Sequence, residues 1–111
     1  MPAQYVLKKS TNNQFYFNLT AENNEPILHS EQYVSKSGAL NGIESVKENS
    51  SNDARYEKRT SSNGQFYFVL KAANHQIIGT SEMYKSERSR DDGIEAVKRV
   101  GPTAVLSDQT E

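Results

Sequence analysis

The sequence contains no cysteine, which excludes thiol chemistry, cysteine metal sites and disulfides. It also has no apolar run near the ~20 residues that a membrane-spanning helix needs. The N-terminus shows no basic and apolar signal sequence, so we expect a cytoplasmic protein without membrane association. Histidine is scarce: His29 and His75 are the only two. A metal site or histidine-driven catalysis needs more ligands than these, so we expect surface or turn roles for both.

Strong charge of one sign is also missing. The chain of 111 residues has a formal net charge of −1. This balance does not match the basic footprint of a dedicated nucleic-acid binder. Ten aromatic residues, six Tyr and four Phe, indicate a folded protein with a modest core.

What the chain does have is a stretch that occurs twice. Gln-Phe-Tyr-Phe-Asn-Leu at 14–19 returns as Gln-Phe-Tyr-Phe-Val-Leu at 65–70, which is 51 positions later. The same offset aligns residues 5–50 with 56–101 without a gap, and 20 of those 46 positions are identical. We therefore predict a tandem duplication, with repeat 1 at about 4–51 and repeat 2 at about 55–102. Each repeat is near the lower size limit for folding alone, so we expect both to share one core in a single domain over 1–111.

Each repeat opens with a predicted β-hairpin. Residues 5–9 and 56–60 are first strands, although Lys58 stands where repeat 1 has Leu7, and its alkyl stem is expected to cover the same core surface. The second strands alternate Phe, Phe, Leu and Ala with a period of two. A three-residue loop matches apolar with apolar, pairing Leu7 with Phe17 and Tyr5 with Leu19. It also requires a left-handed residue at Asn13 and Gly64.

A third strand and a helix follow in each repeat. The third strands cover 26–30 and 77–81, and the register of this hairpin stays open because Ile27-Leu28 and Ile77-Ile78 are apolar on both faces. Ser35 and Ser86 are predicted helix N-caps. Gly42 and Gly93 fall in mid-helix, where glycine costs ~1 kcal/mol relative to alanine. We expect close contact between helix backbone and sheet at these two positions.

The segment 103–107 after the second helix has the composition of a β-strand. We therefore favour an ordered strand there over a frayed C-terminus. By symmetry with repeat 2, it is predicted to pair at the edge of repeat 1 and to bury Val105 or Leu106.

The paired pattern of Phe-x-Phe-x-Leu, Ser-Glu-x-Tyr at 30–33 and 81–84, and Gly-Ile-x-x-Val-Lys at 42–47 and 93–98 resembles the YegP-like family of uncharacterised proteins in its tandem form. The resemblance spans 5 to about 101. It implies an α+β fold of two tandem β(3)-α-β repeats that share one antiparallel sheet, with two helices on one side and terminal strands exchanged between repeats. It brings no activity, cofactor or catalytic residue. We also expect a monomer in which the two repeats mimic a dimer.

The face of the sheet opposite the helices carries the candidate binding residues. Tyr16 and Tyr67 each lie between two inward phenylalanines and therefore point the other way. The predicted binding face consists of Tyr16, Tyr67, Gln14, Gln65 and Asn18, with Lys8 nearby. Such tyrosines can simply be good strand residues, can dock a protein partner, or can stack the bases of single-stranded nucleic acid, in that order of preference.

Repeated carboxylates are the only catalytic alternative. Glu31 and Glu82 repeat, as do Glu44 and Glu95, and pairs across a pseudo-twofold axis could act as acid and base. For Glu31 and Glu82 we prefer a hydrogen bond at the helix entry. For Glu44 and Glu95 we prefer a position on a solvated helix face. The expected function is therefore a non-enzymatic protein-interaction module with no cofactor, no metal and no catalytic residue, and single-stranded nucleic-acid binding is the alternative.

Overall fold

A computed structural model of the chain describes residues 2–110. The two α-helices are α1 (Lys36–Asn49) and α2 (Glu87–Val100), and a one-turn 3-10 helix covers Asp53–Arg55. The seven strands are β1 (Gln4–Lys9), β2 (Phe15–Thr20), β3 (Pro26–Ser30), β4 (Tyr56–Thr60), β5 (Phe66–Lys71), β6 (Ile77–Thr80) and β7 (Val105–Asp108). They form one sheet in the order β4-β5-β6-β3-β2-β1-β7. The predicted single sheet built from two β(3)-α units is confirmed.

The first hairpins follow the predicted register. Leu7 pairs with Phe17 and Tyr5 with Leu19, so the apolar side chains of both strands share one face. Asn13 has φ 64° and Gly64 has φ 82°, the left-handed residues that a three-residue loop requires. In β4, Lys58 is paired with Phe68 as predicted, but it is exposed and bonds to Asp91 at 3.2 Å. Its ammonium group therefore lies outside the core, at the end strand of the sheet.

The second hairpins have a register that the sequence left open. Leu19 pairs with Leu28, and a bulge then places Thr20 opposite Pro26. The extra residue lets Ile27 and Leu28 both enter the core, although they are adjacent in sequence. In repeat 2, Gly79 takes the place of Leu28, and a Cβ there would lie 2.8 Å from the Leu28 Cγ. One leucine therefore fills the core space at the junction of β3 and β6.

The helices begin at the predicted caps and cover one face of the sheet. The side chains of Ser35 and Ser86 accept hydrogen bonds from the backbone N–H of Gly38 and Ser89. Buried helix residues cluster with the inward side chains of the strands, which include Tyr5, Phe17 and Phe68. Within residues 2–110, neither helix has the length and apolar content needed to cross a bilayer.

The last strand closes one edge of the sheet and differs from the prediction in two respects. It pairs with β1, as expected from symmetry, but it runs parallel to β1, so the sheet is mixed and not wholly antiparallel. Val105 and Leu106 are 48% and 49% exposed, and Ala104 is the buried residue of the segment. The predicted burial of Val105 or Leu106 is wrong, because β7 is an edge strand that the helices do not reach over. Lys36 bonds to Asp108 at 2.5 Å and, with Thr110, lowers the pKa of Asp108 to about 2.

Candidate functional site: the open sheet face

The face of the sheet away from the helices is not covered by any other element of residues 2–110. Its centre is a row of mutually paired residues that crosses all seven strands: Glu57, Val69, Thr80, His29, Asn18, Val6 and Ser107. We call this surface, with the side chains that flank the row, the open sheet face. Most of its residues are half-buried, and none belongs to the hydrophobic cluster on the helix side.

Repeat 1 contributes a cluster of Tyr16, Asn18 and His29 to this face, with Lys8 paired opposite Tyr16. The ring of Tyr16 lies 5.5 Å from the ring of His29, measured between centroids. Nδ1 of His29 and the side-chain oxygen of Asn18 are 2.6 Å apart. His29 has the surface position that the sequence suggested, but its place beside Tyr16 depends on the register of β3, which the sequence did not supply.

Repeat 2 contributes a charged cluster from β4 and β5 to this face. The Glu57 carboxylate accepts hydrogen bonds from Lys71 Nζ at 2.8 Å and from Arg59 Nε. These two donors lower the pKa of Glu57. Arg59 is paired with Tyr67 across β4 and β5, and Glu57 and Tyr67 together raise the pKa of Arg59. Val69 is 1% exposed, although it points to this face and lies outside the core.

Tyr16 and Tyr67 occupy opposite corners of the open sheet face. They lie on β2 and β5, which are antiparallel to each other and separated by β3 and β6. With strands ~4.8 Å apart and a rise of ~3.4 Å per residue, the two side chains are about 20 Å apart. Gln14 and Gln65 lie beside the first turns of their repeats, where their side chains accept from Asn12 and Asn63.

The repeated Ser-Glu-x-Tyr motif is structural in both copies. The buried hydroxyl of Ser30 accepts from the Phe17 N–H at 2.8 Å and donates to the Glu31 carbonyl at 2.8 Å. Ser81 does the same for Phe68 and Glu82. Tyr33 pairs with Phe15 through two backbone hydrogen bonds of 2.7 Å.

The tyrosines of this motif also explain the mid-helix glycines. A Cβ on Gly42 would lie 2.8 Å from Cζ of Tyr33 and 3.0 Å from Cε2 of Phe17, and Gly93 meets Tyr84 in the same way. The predicted close contact at both glycines is confirmed, and its partner is the motif tyrosine.

The repeated carboxylates do not form the catalytic pairs that were considered. β3 and β6 are antiparallel, so Glu31 and Glu82 follow opposite ends of this strand pair. Their backbones are separated by about 13 Å along the strand direction. Glu44 pairs with Lys47 at 3.8 Å and Glu95 with Lys98 at 3.4 Å, each on its own helix surface. No group of three or more metal-ligating side chains occurs within residues 2–110.

Two open clefts lie on the helix side of the sheet. One, of about 680 Å³, is formed between the repeats, where Glu31, Tyr33 and Ser45 face the turn that contains Asn74, His75 and Gln76. His75 lies in a turn, as expected, and its φ of 69° places it in the left-handed region. The second cleft, of about 350 Å³, lies between β4 and α2.

Together these features define a small α+β protein of two fused repeats with one uncovered sheet face. Comparison with protein families agrees: the domain of unknown function DUF1508 matches residues 10–57 and 61–108. The chain belongs to the DUF1508 family, in its two-copy form.

Relatives of nearly the same length support this assignment. A UPF0339 protein of Shewanella oneidensis is 56% identical over 110 residues, covering 99% of this chain and all of the relative. The UPF0339 protein YegP of Escherichia coli K12 is 54% identical over the same length, with the same coverage. The predicted resemblance to the YegP-like family is therefore confirmed.

Solved structures show the same fold. The solution NMR structure of YegP, a protein of unknown function from Escherichia coli, has a TM-score of 0.93 at 54% identity and covers 99% of this chain and 95% of that chain. The solution NMR structure of a UPF0339 protein from Shewanella oneidensis also has a TM-score of 0.93, at 55% identity, with 99% and 93% coverage. These relatives are uncharacterised proteins, and no function is assigned to them.

Proposed function

We propose that this chain is a non-enzymatic protein-interaction module whose binding surface is the open sheet face. The observation that carries this proposal is the one-sided architecture: both helices and the core lie on one side of seven strands, and the other side is uncovered within residues 2–110. Tyr16 and Tyr67 anchor its two halves. Tyrosine is enriched at protein interfaces because its ring buries apolar area while its hydroxyl stays hydrogen-bonded.

The asymmetry of this face favours a protein ligand. Repeat 1 offers Tyr16, His29 and Asn18 beside one cation, Lys8, whereas repeat 2 offers Tyr67 beside Glu57, Arg59 and Lys71. A protein surface can present different groups to the two halves. The face is therefore a heterogeneous platform, even though the backbone that supports it is nearly symmetric.

Single-stranded nucleic acid fits this geometry less well. Sheets that bind RNA stack two or three bases on aromatic side chains that lie close together. Here two strands separate Tyr16 from Tyr67. Glu57 also offsets part of the positive charge of Arg59 and Lys71.

Quantitative affinity capture tests the proposal. Wild type is compared with Tyr16→Ala/Tyr67→Ala and with Val34→Ala, a matched control that removes an apolar side chain which is 84% exposed and lies outside the sheet. We expect at least one protein to be retained by wild type and by the control but lost from the double variant. Purified partner should then shift NMR signals of the open sheet face. Identical partner lists for all three proteins would refute the sheet-face proposal.

A titration with labelled single strands tests the alternative. Nucleic-acid binding through phosphate contacts weakens steeply as salt rises. Absence of binding at low salt would remove this alternative, whereas salt-sensitive binding that is lost in the double variant would replace our proposal with it.

A further inference from the structure

The two outer edges of the sheet are equivalent under the duplication but differ in their strand pairing. At the edge of repeat 1, β7 lies parallel to β1, with Tyr5 opposite Leu106 and Leu7 opposite Asp108. Val105 N donates to the Ala3 carbonyl at 3.1 Å, and Gln109 N donates to the Leu7 carbonyl at 2.8 Å. At the edge of repeat 2, β4 pairs only with β5 among the described residues.

The backbone of β4 presents hydrogen-bonding groups to this edge. Phe68 donates its N–H to Ser81 Oγ at 2.9 Å, and its carbonyl accepts from Ser81 N at 2.9 Å. Both groups of Phe68 thus point toward β6. Because Lys58 pairs with Phe68 across an antiparallel ladder, the N–H and carbonyl of Lys58 point the other way, out of the sheet. In repeat 1, the equivalent carbonyl of Leu7 binds β7.

A cleft of about 350 Å³ runs beside this edge, between β4 and α2. Tyr56 is half-buried at its floor, whereas the equivalent Tyr5, beside β7, is fully buried. The one-turn helix Asp53–Arg55 leads into β4, and the Tyr56 N–H bonds back to the Asp53 carbonyl. A segment added to this edge would therefore begin its pairing at the Tyr56 carbonyl and continue along Lys58.

The chemistry of the cleft wall defines the partner. In α1, Lys36 binds Asp108 of β7; the equivalent residue of α2 is Glu87, and Asp91 one turn later pairs with Lys58 of β4. Glu87, Asp91 and Glu95 are four residues apart and share one side of α2. With Asp53 and Asp92 they make five carboxylates, against three neighbouring cations, Lys58, Arg90 and Lys98, which leaves −2. The acidic Asp108 of β7 would be repelled here, and a basic residue would be attracted.

We propose that the edge of β4 is a docking site for an extended basic polypeptide segment that adds as a parallel strand, as β7 does in repeat 1. Lysine or arginine at alternate positions of the segment, level with Tyr56 and Lys58, faces the carboxylates of α2. The intervening side chain lies on the open sheet face beside Glu57. Strand addition to a sheet edge combines backbone hydrogen bonds with such alternate side-chain contacts. This site lies at the edge of the sheet, far from Tyr16, although Tyr67 pairs with Arg59 of the same strand. It does not depend on the function proposed above.

NMR titration of the full chain with three synthetic peptides tests this proposal. The first is Lys-Thr repeated four times, the second is Glu-Thr repeated four times, and the third is the lysine peptide with alternate backbone nitrogens methylated. Methylation keeps every charge but removes the donors that strand pairing needs. We expect the lysine peptide to shift the amide signals of 56–60 and to slow hydrogen exchange at Lys58. The glutamate and methylated peptides should bind at least tenfold more weakly.

Two further arms separate the components of the proposal. A Glu87→Lys/Glu95→Lys variant should weaken binding of the lysine peptide at least tenfold, and Tyr16→Ala, which changes the open sheet face far from β4, should leave it unchanged. A spin label on the N-terminus of the peptide should broaden signals near Tyr56, as a parallel orientation requires, and a label on its C-terminus should broaden signals near Thr60.

Three results would overturn the inference. Equal binding of the methylated and unmethylated lysine peptides would show charge attraction without strand addition. Binding of the lysine peptide that is insensitive to Glu87→Lys/Glu95→Lys would remove α2 from the site. Self-association through β4, seen in sedimentation and unaffected by any peptide, would assign the edge to a second copy of the chain.

Discussion

The hydroxyl of Tyr5 donates a 2.6 Å hydrogen bond to the carbonyl of Gly101, 96 positions further along the chain. Its duplicate, Tyr56, donates to the carbonyl of Ser50 at 2.5 Å. Ser50 and Gly101 are equivalent under the 51-residue offset and end α1 and α2 as their C-caps. Each of these tyrosines, Tyr5 and Tyr56, therefore binds the C-cap carbonyl of the other repeat's helix.

Replacing Tyr5 with Phe should change both stability and its pH dependence. At neutral pH, loss of the hydrogen bond should cost about 1 kcal/mol. Burial, and then the charge of Glu44, raises the pKa of Tyr5 above its ordinary 10.0, so the folded protein keeps a phenolic proton that the unfolded chain releases. Wild-type stability should therefore fall as the pH rises above 10, and the variant should fall less steeply. Urea unfolding between pH 8 and about 11 measures both effects. An equal alkaline decline in the two proteins would contradict the assignment.

Exchanging the two helix caps should test their contact. A Cβ on Gly101 would lie 2.7 Å from the Cβ of Ser50, and the fully buried Ser50 hydroxyl has no hydrogen-bond partner within the described residues. Gly101→Ser should therefore destabilise by ~1–3 kcal/mol through overpacking. The double variant Ser50→Gly/Gly101→Ser should recover most of this loss, because it only swaps the side chain between equivalent positions. Additive effects in a double-mutant cycle of thermal unfolding would show that the two caps do not interact.

Enlarging the mid-helix glycines should destabilise the fold in spite of the better helix propensity of leucine. Gly42→Leu and Gly93→Leu each force a side chain into the ring of Tyr33 or Tyr84, and overpacking typically costs ~1–3 kcal/mol. Asn41→Leu is the matched control, since residue 41 is exposed on the same helix. A glycine variant that melts at or above the wild-type temperature would be inconsistent with this contact.

Truncation after Pro102 should weaken the protein and promote association. It removes β7 and the buried Ala104, uncovers Tyr5, and breaks the ion pair of Lys36 with Asp108. Loss of buried apolar area should cost about 1–3 kcal/mol, and β1 becomes an unprotected edge. Thermal unfolding and size-exclusion chromatography measure these effects. An unchanged melting temperature together with monomeric elution would mean that β7 does not hold the edge of repeat 1.

The local structure of this chain could be predicted from sequence. The duplication, the three-residue turns at Asn13 and Gly64, the serine caps and the buried helix faces all depend on neighbours within one hairpin or helix. Matching apolar residues on one strand face allowed a single register for the first hairpin, because a slip of one residue would turn Tyr5 to the wrong side. The same alternation placed Tyr16 and Tyr67 opposite the core.

The tertiary structure decided what depends on distant contacts. Ile27 and Leu28 are both apolar, so only the bulge beside Thr20 fixes their register. The parallel direction of β7 follows from the path of the chain after α2, and the exposure of Lys58, Val105 and Leu106 follows from their positions on edge strands. The separation of Tyr16 from Tyr67 depends on the β3–β6 junction, which joins residues of different repeats. The periodicity of apolar residues shows which side of a strand is buried. Which strands lie next to each other at the sheet edges is determined only when the two repeats pack around one core.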